Sequence, residues 1–107
     1  MSSNISNEKK TISVLNGTSV SGVATLSSRV ISNIGGRVVA IENASSEYSN
    51  TLIISDDLDS ETVAYIKKSF GIDRVYTKQE ASFVREDAMS RSDIIVVIGF
   101  DLADRLY

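Results

Sequence analysis

Carboxylates, Lys, Arg, Tyr and hydroxyls are the reactive side chains of these 107 residues, because the sequence holds no Cys and no His. That excludes a thiol nucleophile, an imidazole acid or base, a Ser-His-Asp triad and a zinc-finger site. Carboxylates are the first candidates. Asp56, Asp57, Asp59 and Glu61 stand close together. A calcium loop beginning at Asp57 would need Gly at its sixth position and Glu at its twelfth, where the sequence has Thr62 and Lys68. The cluster therefore reads as acids in the first turn of a helix, each stabilised by about 0.3–1 kcal/mol through the unsatisfied amides there. No metal and no cofactor is expected.

The second candidate is the small-residue loop Asn16-Gly17-Thr18-Ser19-Val20-Ser21-Gly22. It joins a strand to a helix, so its amides could cradle an anion. It is not a P-loop, since Val23 stands where the lysine after Gly22 is required, and the dinucleotide pattern G-x-G-x-x-G is absent. A tight turn with a helix cap explains the same residues. Among the aromatic residues, Phe70 falls on a helix stripe and reads as core, whereas Tyr48 lies in a polar loop and is the one candidate for an exposed recognition platform.

The elements that hold these residues follow from periodicity. Ile12 and Val14 alternate with Ser13 in a strand over 11–15. Val23, Leu26, Val30, Ile31 and Ile34 make one helical stripe, which Ser19 or Ser21 would cap and Gly35-Gly36 would end. Arg37 to Glu42 has four successive apolar residues and predicts a strand in the sheet interior. Residues 43–50 read as a loop, 51–55 as a third strand, and Val63, Ile66 and Phe70 as the stripe of a second helix closed by Gly71. A short strand is expected within 72–77, an irregular connection with one helical turn over 78–92, a central strand over 93–99 and a helical turn after Asp101. The order βαββα(β)β predicts a two-layer α/β sandwich of ferredoxin-like arrangement, with two helices on one face of a mixed sheet.

With 42% apolar and 23% charged residues, the chain has the composition of one globular domain, here residues 11–107 after a polar linker over 1–10. The net charge of −3 and the scattered basic residues argue against nucleic acid. The longest apolar run is centred on Ile94–Ile98, far short of the roughly 20 residues of a membrane span, so no membrane contact by this chain is expected.

The run Val14-Leu15-Asn16-Gly17-Thr18-Ser19-Val20-Ser21-Gly22-Val23-Ala24, the Asn43-Ala44-Ser45 loop and the closing Ile98-Gly99-Phe100-Asp101 resemble, in that order, the LytR C-terminal domain family. This small module follows the catalytic domain of many LytR-CpsA-Psr cell-envelope proteins of Gram-positive bacteria. The resemblance covers Thr11 to about Asp101. It implies an extracytoplasmic, non-catalytic accessory or interaction domain cut from a longer, membrane-anchored chain. None of the catalytic domain's phosphotransferase site carries over to these residues. The expected partner is a cell-wall polymer or an envelope protein, and copies could also associate as a homo-oligomer.

Loops after the carboxyl ends of parallel strands gather at one sheet edge. The expected binding residues are therefore Asn16, Gly17, Thr18, Ser21, Gly22, Asn43, Ser45, Tyr48 and Asp101. Two other readings stand beside this one: an enzyme working through carboxylates such as Asp56 or Asp101, and a purely structural spacer or dimerisation unit.

Overall fold

The structure is a computed structural model that describes residues 9–84 and 86–106. The first eight residues of the expected linker lie outside the described residues, as does Tyr107. The elements are β1 (Thr11–Asn16), α1 (Val23–Asn33), β2 (Arg37–Asn43), β3 (Leu52–Ser55), α2 (Glu61–Phe70), β4 (Val75–Tyr76), a 3-10 turn (Asp87–Ser90), β5 (Ile94–Ile98) and α3 (Phe100–Leu106). They build the expected α/β arrangement on a mixed sheet, in which the strand order is β2-β1-β5-β3-β4. β1 is parallel to both β2 and β5, β3 is antiparallel to β5, and β4 is parallel to β3.

The helices share one face of the sheet. Val23, Ala24 and Ile31 of α1, Val63, Ile66 and Phe70 of α2, and Leu102 and Ala103 of α3 pack with Ile12, Val14, Ile53, Ile94, Val96 and Ile98. The deepest side of α1 carries Ala24, Ser27 and Ser28 rather than Leu26, which is half-buried. The two serines satisfy their hydroxyls within the helix, Ser27 Oγ donating to Val23 O at 2.9 Å and Ser28 Oγ to Thr25 O at 2.7 Å. Small residues there let the helix lie close to the strands.

Residues 77–84 and 86–92 cover the second face. Ala81, Val84 and Ala88 seat on Leu15, Leu52, Ile54, Ile95 and Val97, with Tyr48, Tyr76 and Met89 packed around them. The few apolar residues of this charged stretch are the ones that turn inward, which is why it shows neither a helical nor a strand period. Its end is fixed at β1, where Ser13 and Ser92 share a buried hydroxyl–hydroxyl hydrogen bond. The Thr11 amide and hydroxyl also donate to Asp93 at 3.0 and 3.2 Å. The bond from the Thr11 amide holds the Asp93 carboxyl below its usual range.

Three local expectations need correction. β2 is an edge strand rather than an interior one: Val39 is 50% and Ile41 47% exposed. The interior place goes to β5, whose five residues are all buried, because it lies between β1 and β3 and packs into the apolar clusters on both faces. Neither Ser19 nor Ser21 caps α1; Gly22 occupies that position with φ 88° and no side-chain cap. Of the acidic cluster only Glu61 lies in the first turn of α2, which Ser60 caps by accepting from Val63 N at 3.3 Å. Asp57 stabilises the preceding turn by accepting from Asp59 N, and Asp56 accepts from Lys78 N at 2.9 Å.

Burial assigns the stability to β5 and little of it to β2. Ile95→Ala should cost about 3 kcal/mol in chemical denaturation, in the ordinary range for a buried isoleucine, whereas Val39→Thr should stay within about 0.5 kcal/mol.

Candidate functional site

β1 ends in Asn16-Gly17-Thr18, and the side chains close a compact turn. Asn16 Oδ1 accepts from the Thr18 amide at 2.9 Å and from its hydroxyl at 2.7 Å, while Asn16 Nδ2 donates to Val20 O at 2.9 Å. Thr18 Oγ1 in turn accepts from Val20 N at 3.0 Å. The amide of Asn16 and the hydroxyl of Thr18 are thus spent on the turn, which delivers the chain to Gly22 and α1 without a serine cap.

The loop from Ala44 to Thr51 crosses the carboxyl ends of β1 and β5 as a strap. Gly17 N donates to Ile98 O at 2.8 Å, Tyr48 N to Gly17 O at 2.7 Å, Phe100 N to Tyr48 O at 3.0 Å and Asp101 N to Ser49 O at 3.1 Å. Two glycines make the crossing possible. A Cβ at Gly17 would lie 2.7 Å from Tyr48 Cδ1 and 2.8 Å from Ile98 O; one at Gly99 would lie 2.4 Å from Asn50 C and 2.7 Å from Thr51 N. Asp101 locks the far end, its Oδ1 accepting from Thr51 N, Thr51 Oγ1 and Leu102 N at 2.9, 2.8 and 2.7 Å. Thr51 Oγ1 completes the lock by accepting from Gly99 N at 2.9 Å.

Sequence reasoning missed Glu86, which sits in the irregular stretch where periodicity carries no signal. Its carboxylate accepts from the Ser45 amide at 3.0 Å, the Ser45 hydroxyl at 2.8 Å and the Tyr48 hydroxyl at 3.0 Å. Tyr48 is therefore not an open platform: it is half-buried and packs on the second face of the sheet. Burial, then the hydrogen bond and the charge of Glu86, push its hydroxyl above the ordinary tyrosine value.

The expected residues are brought to one end of the sheet, but most are occupied in holding it together. Asn16, Gly17, Thr18, Tyr48 and Asp101 form the turn and the strap, Ser45 is bound by Glu86, and exposed Ser21 and Gly22 lead into α1. Asn43 is different. It is exposed at the end of β2, with no side-chain hydrogen bond among the described residues, and two clefts meet at it. One, of about 180 Å³ on the side covered by 77–84 and 86–92, is lined by Glu42, Asn43, Ser45, Glu86, Asp87 and Arg91 among others. The second, of about 220 Å³ on the α1 side, is lined by Asn16, Gly22, Thr25, Ile41, Glu42 and Asn43 among others. Arg91 is paired with Glu42 at 2.8 Å, so the first cleft is acidic on balance. Among the described residues no group of three His, Cys, Asp or Glu could hold a metal ion, and no helix is long and apolar enough to cross a membrane.

The fold and this end of the sheet define a small α/β module whose distinctive residues serve a backbone crossing. The chain belongs to the LytR C-terminal domain family: a family model described as "LytR cell envelope-related transcriptional attenuator" matches residues 9–101. Members of the family are accessory domains of LytR-CpsA-Psr proteins. The structure is similar to the solution structure of the C-terminal domain of RV0431, with a TM-score of 0.54 and 16% identity over 84% of this chain and 71% of that one. At that identity the likeness is one of fold. No curated protein matches the sequence.

Two substitutions test the strap. Gly99→Ala should cost more than about 2 kcal/mol or prevent folding, because the obstructing atoms are backbone. Tyr48→Phe should cost about 1 kcal/mol at neutral pH. Since the folded value of Tyr48 is raised, its contribution is complete below the ordinary tyrosine value and is lost as pH rises through the folded one. Thermal melts of wild type and Tyr48→Phe should therefore converge at high pH.

Proposed function

We propose that this chain is a non-catalytic, extracytoplasmic accessory domain of a cell-envelope protein, which binds an envelope component or partner protein at the rim around Asn43. The observation that carries the proposal is the position of Asn43, an uncommitted amide between two clefts at the carboxyl ends of the parallel pair β1 and β2. An amide offers two donors and an acceptor without charge, and the surrounding Ser45, Thr25, Glu42 and Glu86 add further polar groups. That set suits the hydroxyls and amides of a neutral glycan or peptide. The acidic lining and the net charge of −3 disfavour a polyanion. The family membership supports the envelope setting.

The carboxylate-enzyme reading has less support. Asp101 Oδ1 already accepts three hydrogen bonds, and Asp56 accepts from Lys78 N. Asp101 lines a cleft, but its Oδ2 stands 4.0 Å from Arg74, and among the described residues no other acid lines that cleft apart from Asp73, so the hydrogen bonds of both residues are better explained as holding loops.

Co-sedimentation with purified sacculi stripped of anionic polymers is the direct test. The wild-type domain should be retained, and Asn43→Ala should reduce retention by about tenfold or more while leaving the melting temperature unchanged. Asn16→Ala is unsuitable for this purpose, since it removes the turn that carries β1 into α1. Absence of retention by the wild type, or equal retention by Asn43→Ala, would remove the assignment.

A further inference from the structure

The open edge of β2 has an irregularity that fits a second copy of itself. β2 is seven residues long, contains no proline and, among the described residues, is paired only with β1. In that ladder Ile12, Val14 and Asn16 stand beside Val38, Ile41 and Asn43. Asn16 O accepts from Ala44 N at 2.9 Å, so Asn16 turns its backbone groups toward β2, and by alternation Val14 and Ile12 do the same. In a parallel ladder the residue beside such a position turns its own groups away. Val38, Ile41 and Asn43 therefore present N–H and C=O to the open edge.

The side chains follow an unusual spacing. Val38 packs on the helix-side cluster, and Ile41 lines the cleft with Gly22, Ala24 and Thr25 of α1, so the two share a face although they are three residues apart. A regular strand would place them on opposite faces. The cause is the bulge at Val39, where the ladder passes from Ile12 beside Val38 directly to Ser13 beside Ala40. Arg37, beside Thr11, and Glu42, beside Leu15, lie on the other face.

This spacing selects one pairing. Opposed residues of an antiparallel pair must share a face, so a regular strand meeting its two-fold copy can oppose only residues an even number of positions apart. The bulge changes that parity and admits an odd register. We propose that two copies of this chain associate antiparallel along β2, about a two-fold axis passing between Val39 and Ala40. Val38 then opposes Ile41 of the second copy, twice, and both residues bring outward backbone groups, as a hydrogen-bonded pair requires. Val39 opposes Ala40, which covers the exposed Val39 and Ile41. Arg37 opposes Glu42, twice, so each Glu42 lies between its own Arg91 and the second copy's Arg37. A parallel pairing would set Arg37 against Arg37. The joined sheet would have ten strands, and Asn43 would lie just beyond the opposed residues, its clefts sharing Ile41 and Glu42 with the interface.

Sedimentation velocity and a charge swap test the proposal without reference to any envelope ligand, so its failure is separable from failure of the binding site. The chain should pass from monomer to dimer as its concentration rises into the range of about 0.01–1 mM. Arg37→Glu should weaken association by about tenfold or more through two like-charge pairs, and the double variant Arg37→Glu with Glu42→Arg should recover most of it. Circular dichroism melts establish that each variant is folded. Because the chain has no Cys, Val39→Cys gives a second readout: the introduced thiols face each other near the axis and should cross-link two chains on mild oxidation faster than a thiol introduced by Lys68→Cys on α2. A monomer at every concentration, a dimer unaffected by Arg37→Glu, or equal cross-linking at the two positions would overturn the proposal.

Discussion

Three stretches of backbone meet within hydrogen-bonding distance at the carboxyl ends of β1 and β5, and the fold depends on how closely they approach. Gly17 donates to Ile98 and accepts from Tyr48, whose carbonyl then accepts from Phe100. These bonds set β1 beside β5, return the chain from β2 into β3, and start α3. No side chain larger than hydrogen fits at Gly17 or Gly99, since the neighbouring atoms lie within 3 Å of where a Cβ would be. The crossing also resolves a polarity problem. Loop carbonyls and amides laid over buried strand ends would otherwise lack partners, and here the strap, Asp101 and Thr51 satisfy them.

Closure at this end is matched on the sheet's second face. Residues 77–92 are too charged for a core helix and too irregular for a strand, yet Ala81, Val84 and Ala88 seal β3 and β5. Glu86 ties this cover to the strap through Ser45 and Tyr48, so the two irregular segments support each other. Neither is anchored by a regular ladder of its own. Their order comes from side chains reaching backbone groups, the interaction that local sequence statistics see least.

That difference explains what was legible in the sequence. α1 and α2 were readable because their stripes recur at helical spacing, and β5 because a continuous apolar run between polar ends fits a fully buried strand. β2 has almost the same apolar run and lies at the edge. Strand composition reports β propensity, whereas interior or edge position is decided by which strand returns between β1 and β3, a long-range fact. The small-residue loops were recognisable as a related pair, but their role was not. Asn16, Gly17, Thr18 and Asp101 look like a ligand cradle in one dimension, and in three dimensions the ligand is the protein's own backbone. Glu86 had no signal at all, because a lone carboxylate in an irregular segment resembles any solvated charge.

One consequence concerns where recognition can reside. Apart from Asn43, most of the residues that carry the family resemblance are consumed by the turn and the strap, so they account for a shared fold more than for a shared ligand. Groups able to meet a partner lie on the rim instead: Asn43, and the charged residues Glu42, Asp87 and Arg91 lining one of its clefts. None of these is needed for the glycine crossing. Glu42, Asp87 and Arg91, which lie outside the motifs that carry the resemblance, could change without disturbing the strap, as residues on a rigid scaffold can. The rim is also continuous with the open edge of β2, since Glu42 belongs to both. Any contact that draws Glu42 toward a second chain alters its pairing with Arg91, and with it the charge presented to the cleft. The proposed association along the edge and the proposed recognition at the rim would therefore share one carboxylate.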